Sequence, residues 1–381
     1  MADKSITISL CIIVRNEEDT IARCLDSVKG IPDEIVIIDT GSTDCTKEIV
    51  KKYTDKILDF TWIEDFAVAR NFAFSNATKE YILWLDADDV LSETDKDMFL
   101  KLKENLDPSI DVVNMPYLLA FDQSGAATFS LRRNRLVKRS KNFRWIGAVH
   151  EYLEVHGTVL NSDICVTHKA TASDDSDRNL KIYEKRKARG ESFSPRDLFY
   201  YANELFDHKL HKRAIEVYQE FLKTGQGWVE DNISACGKLA ECFQKLGEND
   251  KELEYILKSF KYATPRAEFC CRLGFYFLSD KQYEKASFWY KLATQLEKPI
   301  DNWGPMIEAC WTWLPHLQLC VCYDRLGKHE LAYEHNEIAR KYRPENTQVL
   351  YNKNYLEGIL EKAKKEEINK ELGNDLEEGV E

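Results

Sequence analysis

The sequence predicts an α/β domain with a mostly parallel sheet, followed by an all-α domain of helical repeats. Over the first 90 residues, short apolar runs alternate with helical patterns, the order that gives parallel strands joined by right-handed crossovers. After Pro195 every apolar pattern has the helical period, and similar turns recur. We expect residues 1–190 to form the first domain, residues 195–360 the repeats, and residues 361–381 a charged, frayed tail.

The elements of the first domain follow from local patterns. Residues 7–14 form a nearly continuous apolar run, as expected of a strand covered on both faces. In the helix predicted over residues 18–29, the apolar side chains share one stripe. The same reasoning predicts further strands at 33–38, 57–62 and 81–85, with helices over 43–53 and 66–77.

From residue 112 the sequence pattern changes to strand-like segments separated by short turns. We expect these pieces to extend the sheet in antiparallel or mixed fashion, over residues 112–121, 127–137, 143–155 and 159–168. A charged helix over residues 174–189 would close the domain, and residues 190–195 read as a linker.

The helical part shows an internal repeat. The small or apolar residue that ends each recurring turn falls at Ala214, Leu253, Ala286 and Ala332. The intervals of 39, 33 and 46 residues scatter around the ~34-residue period of tetratricopeptide repeats. Each unit would be a helix hairpin whose apolar face is covered only by its neighbours.

Charge and cysteine content limit the classes of function and the cellular location expected for the protein. The chain carries 53 basic and 65 acidic residues, a net charge of −12, which argues against nucleic-acid binding. Residues 132–144 reverse the sign with seven basic residues and no acidic one, as an anionic ligand beside a metal ion would require. Eleven cysteines without a CxxC pair read as reduced core thiols. No apolar run approaches ~18 residues and no leader is evident, so we expect a cytoplasmic protein without a membrane span.

The strongest chemical motif is Asp86-Ala-Asp88-Asp89, directly after a predicted strand. Carboxylates at a strand end point toward the crevice where ligands bind in parallel sheets. They suit a hard divalent cation, which prefers oxygen ligands and can hold a diphosphate. The alternative is a solvated acidic turn or helix N-cap, and the position at the strand end favours the cation.

Two other strand ends carry polar residues. Asp39 stands at the end of the second strand, where a buried carboxylate is costly unless it is paired. Asn16 and Glu17 follow the first strand, and they could equally cap a helix and favour its dipole.

Four segments in order and spacing resemble the family 2 glycosyltransferases of the GT-A fold, over about residues 6–170. They read IIVRNEEDTIARCLDSV, EIVIIDTGSTDCT, DFAVARNFAF and YILWLDADD. With the helical part, RRNRLVKRSKNFRWIGAVHEYL and VTHKA resemble bacterial members fused to tetratricopeptide repeats. Those members include the peptide S-glycosyltransferases of glycosylated bacteriocins. The resemblance implies a Rossmann-like GT-A sheet in the first domain.

The resemblance also implies roles in binding the nucleotide. Val14, Asn16 and Glu17 would line the nucleotide pocket. Asp39 would bind the base, most often uracil, through a base N–H.

Further roles concern the sugar and the metal. Arg70 and Asn71 would lie beside the nucleotide and sugar, and Asp86 would contact ribose or the donor sugar. Asp88 would ligate Mn²⁺ or Mg²⁺, with His168 as a late metal ligand. By itself, a lone histidine after a strand is more often structural.

The general base departs from the family pattern. Many members use an aspartate in a Glu-Asp pair, and no such pair stands at the expected place. We therefore predict Glu151 as the base that deprotonates the acceptor, with His150 orienting it or binding the donor. The alternative is a structural ion pair from Glu151 into the basic run 132–144. Within that run, Arg133 and Arg135 are the expected anion partners.

These inferences predict a metal-dependent, inverting transferase that uses a UDP-sugar. It would move a hexose or N-acetylhexosamine to a Cys, Ser or Thr side chain of a peptide or protein held on the repeats. Two alternatives stay open: a saccharide or lipid-linked acceptor in envelope polysaccharide synthesis, and a non-catalytic repeat adaptor. A homodimer is also compatible with the sequence.

Overall fold

The computed structural model describes residues 5–121, 127–169, 177–298 and 306–377. The chain divides into two compact units, Met1–Ser192 and Phe193–Glu381. We call them the N-terminal and C-terminal units. The division falls inside the predicted linker over residues 190–195. No helix among the described residues combines the length and the hydropathy needed to cross a bilayer.

The N-terminal unit is built on a mixed sheet of nine strands in its described residues. The spatial order is β3-β2-β1-β4-β7-β6-β11-β5, with β10 also paired to β6. Their bounds are β1 Ile8–Val14, β2 Glu34–Asp39, β3 Ile57–Asp59, β4 Tyr81–Trp84, β5 Asp89–Val90, β6 Val112–Phe121, β7 Ala127–Lys138, β10 Val159–Asn161 and β11 Val166–His168. Strands β8 Arg144–Ile146 and β9 Tyr152–Glu154 form a separate hairpin.

The predicted alternation of strand and helix is confirmed in the first 90 residues. β1 pairs in parallel with β2 and β4, and β2 pairs in parallel with β3. The helices of this unit are α1 Ile21–Ser27, α2 Thr46–Val50, α3 Phe66–Ser75, α4 Glu93–Asn105 and α5 Arg178–Ala188. The carboxyl ends of β1, β2 and β4 therefore meet at one sheet edge, where ligands of such sheets bind.

Both faces of the sheet are covered. Leu10 and Ile12 of β1 are buried in one apolar cluster, together with Leu25 of α1 and Phe99 of α4. Cys11, between them in sequence, belongs to the cluster on the opposite face. Alternate side chains of a strand point to opposite faces, so a strand covered twice needs an unbroken apolar run.

Two of the predicted strands are wrong as single elements. Residues 143–155 form the β8–β9 hairpin, whose turn contains Gly147 at φ +101° and His150 at φ +51°. Residues 159–168 divide into β10 and β11. The chain reverses direction within the β8–β9 hairpin, whereas β10 and β11 both pair in parallel with β6. The structure also adds α4, which Ser92 caps by accepting from the backbone N–H of Asp95 at 3.1 Å.

The C-terminal unit consists of consecutive helix hairpins. Its helices are α6 Pro195–Asp207, α7 His211–Thr224, α8 Val229–Lys245, α9 Asn249–Lys258, α10 Ala267–Ser279, α11 Tyr283–Gln295, α12 Leu314–Arg325, α13 His329–Tyr342 and α14 Thr347–Glu377. The turn inside each hairpin carries a left-handed residue, with φ between 57° and 74°, at Lys209, Gly247, Lys281 and Gly327. Four turns of the same conformation confirm the helical repeat.

The tail predicted over residues 361–381 is helical as far as the structure describes it, because α14 continues to Glu377; residues 378–381 lie outside the described residues. Lysine, glutamate, alanine and leucine are good helix formers, and opposite charges four residues apart add support. A charged composition therefore did not distinguish a frayed tail from the end of a long helix.

The cysteines behave as packing residues. All eleven are free thiols, and nine of them are buried. Burial raises the pKa of the thiol at positions such as Cys236 and Cys322, to about 12. These thiols therefore stay protonated and act as small apolar side chains.

Gly274 of α10 lies against the ring of Tyr290 on α11. A Cβ built on Gly274 would lie 2.7 Å from the ring of Tyr290, which is buried. We expect Gly274→Ala to lower the free energy of unfolding by about 1–3 kcal/mol, because the rigid ring and helix must shift. Gly358→Ala in α14 is the matched control, since nothing lies within 4 Å of its Cβ position. Urea denaturation of both variants checks this; equal effects would contradict it.

Candidate functional site

A cavity of about 350 Å³ opens at the carboxyl ends of β1, β2 and β4. It collects side chains from these strands, from α3, from the β8–β9 hairpin and from the start of α5. The lining residues include most of the predicted site residues, namely Val14, Glu17, Arg70, Asp86, Asp88, Arg133, His150, Glu151 and His168. The structure thus brings together side chains separated by up to 154 positions, from Val14 to His168.

Asp88, Asp89 and His168 form a candidate metal site. One ligand atom from each lies within 4.8 Å of the others. His168 is held there because β11 pairs antiparallel with β5, placing His168 opposite Asp89. Asp89 Oδ1 is buried and has no hydrogen-bond partner among the described residues, which is costly for a carboxylate. Two carboxylates and an imidazole around such an atom fit a divalent cation.

The protonation of His168 reflects these neighbours. The carboxylates of Asp88 and Asp89, which lie within ion-pair distance of its ring, raise the pKa of His168 to about 10. Its Nδ1 lies 3.4 Å from Asp88 Oδ1 and 3.0 Å from the hydroxyl of Tyr117. His168 would give up this proton to ligate a cation, so binding there would release a proton.

Arg135 does not reach the cavity, which corrects its predicted role as an anion partner. Its side chain is fully buried, and Nη1 lies 2.9 Å from Asp89 Oδ2. The guanidinium stacks on Trp84 and Tyr117, at 4.0 and 4.4 Å from the ring centroids. Arg135 lies two residues beyond Arg133 on β7, about 7 Å further from the sheet edge. It therefore positions Asp89, while Arg133 lines the cavity.

Arg70 joins two carboxylates at the cavity wall. Its Nη2 lies 2.7 Å from Asp86 Oδ1, and its Nε lies 2.6 Å from Glu151 Oε1. Trp84 and Trp145 flank the guanidinium, at 5.1 and 4.9 Å from the ring centroids. The sequence left open an ion pair from Glu151 into the basic run 132–144; the partner is Arg70.

These contacts set the charge of Asp86. Burial alone would raise its pKa, but Arg70, Arg135 and Arg133 outweigh that cost and lower the pKa of Asp86 to about 2. Asp86 is therefore ionised at neutral pH, and its carboxylate is ion-paired with Arg70. Glu17, across the cavity, has the opposite balance, since burial raises its pKa.

Asn71 lies outside the cavity lining, contrary to the expectation that it borders the nucleotide and sugar. Its side-chain Nδ2 donates to the carbonyl of Trp145, and its Oδ1 accepts from the N–H of Trp145, both at 2.9 Å. Both ends of the Asn71 side-chain amide are thus hydrogen-bonded to the backbone of β8, and they hold that strand in place. Asn71 acts on the cavity through the position of the Trp145 ring.

Asp39 and Asn16 brace the loops beneath the cavity. Asp39 is 1% exposed and accepts from the backbone amides of residues 41 and 42 at 3.1 Å. Asn16, at φ +55°, accepts from the N–H of Thr43 at 2.8 Å. Neither lines the cavity. The amides of the loop satisfy the carboxylate of Asp39, which the resemblance assigned to a nucleotide base.

Two cations of the cavity were missed by sequence reasoning. Arg15 follows β1 directly, and its place after a strand could have identified it. Arg178 begins α5, and its guanidinium lies 4.9 Å from the ring centroid of Phe66. Nothing in the local pattern of a charged helix distinguishes Arg178 from its solvated neighbours, because only the return of α5 to the sheet edge places it there.

Comparison with known proteins agrees with this geometry. Residues 9–145 match the family model described as glycosyl transferase family 2. The SPbeta prophage-derived glycosyltransferase SunS of Bacillus subtilis is 32% identical over 218 residues, 54% of this chain and 50% of that protein. A TPR repeat-containing protein of Synechococcus elongatus is 37% identical over 153 residues, 39% of this chain and 35% of that protein. The chain spans half or less of the length of these relatives.

One comparison with solved structures has a low score. YrrB, described as a TPR protein with an unusual peptide-binding site, is 16% identical with a TM-score of 0.37. The match covers 47% of this chain and 84% of that one. A TM-score of this size adds nothing to the helices described above.

Proposed function

Since the N-terminal unit carries a family 2 glycosyltransferase domain, we propose that the chain moves a hexose or N-acetylhexosamine from a UDP-sugar to a peptide or protein. The observation that carries the proposal is the shared cavity. It holds a candidate divalent-cation site, Asp88 with Asp89 and His168, beside a carboxylate, Glu151, held by Arg70. The reaction would proceed with inversion, by one displacement at the anomeric carbon.

The donor would bind through its diphosphate. Asp88, Asp89 and His168 would hold Mn²⁺ or Mg²⁺, and the cation supplies positive charge that stabilises the leaving diphosphate. Arg133 and Arg178 line the same cavity and would add positive charge there. Their guanidinium groups stay charged throughout the physiological pH range.

Glu151 would remove the proton from the acceptor. It lines the cavity and is mostly buried, and Arg70 Nε holds its Oε1 at 2.6 Å. A positioned carboxylate can accept the proton of a hydroxyl or thiol as that atom attacks. Arg70 keeps Asp86 as a second anionic partner, so it stays in place when Glu151 is neutralised.

The C-terminal unit would hold the acceptor. Helical repeats present extended surfaces that suit polypeptides. A groove of about 150 Å³ between α8 and α10 combines apolar Ile233 and Phe269 with charged residues of both signs, Glu230, Arg266, Glu268 and Arg272. Apolar and charged side chains in one groove are compatible with a peptide partner.

The test offers UDP- and GDP-sugars with Mn²⁺ and lysate peptides to the full chain, read by intact mass and nucleotide release. We expect UDP release and a sugar-sized mass increase on a peptide, both lost in excess EDTA and restored by Mn²⁺. Modification of saccharides or lipid-linked acceptors instead of peptides would overturn the acceptor assignment. A chain that binds no UDP even with Mn²⁺ would overturn the enzyme assignment in favour of an adaptor.

A further inference from the structure

A second cavity, of about 310 Å³, lies in the N-terminal unit behind the candidate site. The ring of Trp145 separates the two. It lines the first cavity and packs edge-on against Phe74, which lines the second, with ring centroids 5.9 Å apart. Asn71, which brackets the backbone of Trp145, also lines the second cavity. No role described above uses this space.

The charged groups that line the second cavity are all cations. They are Lys138, Arg139 and Arg144, and no acidic residue lines it. Lys141, in the same basic run, has a carboxylate partner, Asp111, at 3.1 Å. By contrast, none of the three forms an ion pair with a carboxylate of the described residues. The ammonium of Lys138 donates to the carbonyl of Pro108 and lies near enough to Asp111 to lower its pKa. The positive charge left for a ligand is therefore that of Arg139 and Arg144.

The cations stand over an apolar floor. Phe74, Ile82, Val137 and Phe143 line the cavity and are each less than 10% exposed. Arg139 is anchored rather than free to move away. Its Nε donates to the carbonyl of Lys79 at 2.6 Å, and its backbone N–H donates to the carbonyl of Glu80 at 2.9 Å.

We propose that this cavity binds a small amphiphilic anion, with its phosphate or carboxylate against Arg139 and Arg144. Its compact apolar part would contact the floor around Phe74 and Phe143. A volume of about 310 Å³ lies at the lower end of the range of small-molecule pockets. Paired arginines are well suited to oxyanions because each guanidinium can donate two parallel hydrogen bonds. The anion is either a free metabolite or the headgroup of a lipid.

The test measures binding of phenyl phosphate to the full chain by calorimetry, with inorganic phosphate as the probe that lacks the apolar part. We expect phenyl phosphate to bind more tightly than inorganic phosphate. Arg144→Glu should weaken its binding at least tenfold. The side chain of Arg144 is exposed and has no hydrogen-bond or ion-pair partner among the described residues. Glu154 lies opposite it on β9, so Arg144→Gln, which adds no second carboxylate there, should also weaken binding and should keep the wild-type melting temperature. Lys101→Glu, at another exposed cation on α4, is the matched control and should bind normally.

Two further experiments test whether the first cavity is the binding site and whether the anion is a free metabolite or a lipid headgroup. Arg133→Gln removes a cation of the candidate site and should leave the tight phenyl phosphate site intact. Sedimentation of the protein with phosphatidylglycerol vesicles, compared with phosphatidylcholine vesicles, tests whether a lipid headgroup occupies the cavity. Binding of the protein to phosphatidylglycerol vesicles that is lost in Arg144→Glu would assign the anion to a lipid. Unchanged affinity in Arg144→Glu, equal affinity for both phosphates, or no binding to the wild type would overturn the proposal.

Discussion

Asp88→Asn should lower the rate of sugar transfer by roughly a thousandfold. Asparagine keeps the shape of the side chain but removes its charge from the cluster with Asp89 and His168. The stabilisation of a leaving diphosphate by a bound cation is worth several kcal/mol, and each 1.36 kcal/mol is about tenfold in rate. The measurement is the initial rate at saturating Mn²⁺, with Mn²⁺ affinity determined separately by calorimetry.

Asp97→Asn is the control for Asp88→Asn. Asp97 is an exposed carboxylate on α4 and does not line the cavity, so its variant should keep the wild-type rate. Both variants should melt at the wild-type temperature, because neither removes a buried contact of the core. Wild-type turnover and Mn²⁺ affinity in Asp88→Asn would remove Asp88 from the metal site.

Glu151→Gln should reduce kcat by about 10²–10⁴-fold while the affinity for UDP stays within about threefold. Glutamine can still accept a hydrogen bond from Arg70, so the wall of the cavity should keep its position. It cannot accept the acceptor's proton at neutral pH, so the displacement loses its base. Single-turnover rates together with UDP titrations separate the two effects.

Glu154→Gln is the matched control for Glu151→Gln. Glu154 is an exposed carboxylate of the same hairpin, three residues further along, and does not line the cavity. Its variant should transfer sugar at the wild-type rate. If Glu151→Gln turned over normally, Glu151 would be only the structural partner of Arg70. If it lost UDP affinity in proportion to kcat, its role would be to shape the donor site.

The N-terminal fold was largely predictable because its signals are local. A strand buried on both faces must be apolar throughout, and β1 meets this condition. Asp86 and Asp88 were found for a related reason, since a strand end at the ligand-binding edge is visible in the sequence. The helical repeats were predictable from the recurrence of one turn, which the structure shows as four left-handed residues.

Other features depend on contacts between distant segments. The pairing of Arg70 with Glu151 links residues 81 positions apart, and no local pattern selects that partner over the basic run 132–144. Arg135 is buried because it lies further from the sheet edge along β7 than Arg133 does. The alternation of apolar and polar residues does not show how far along a strand the sheet edge lies. The hairpin of β8 and β9 was read as one strand, although the chain reverses direction within it.

The sequence by itself determined the order of strands and helices, the helical repeats, and the acidic strand end that carries Asp88. Tertiary structure decided which charges meet. It placed His168 opposite Asp89, paired Glu151 with Arg70, buried Arg135 and placed Arg144 in the lining of the second cavity. The physical reason is that hydrophobic period and turn preference act over a few residues. The partner of a charge depends on which strand ends and loops the folded sheet brings together.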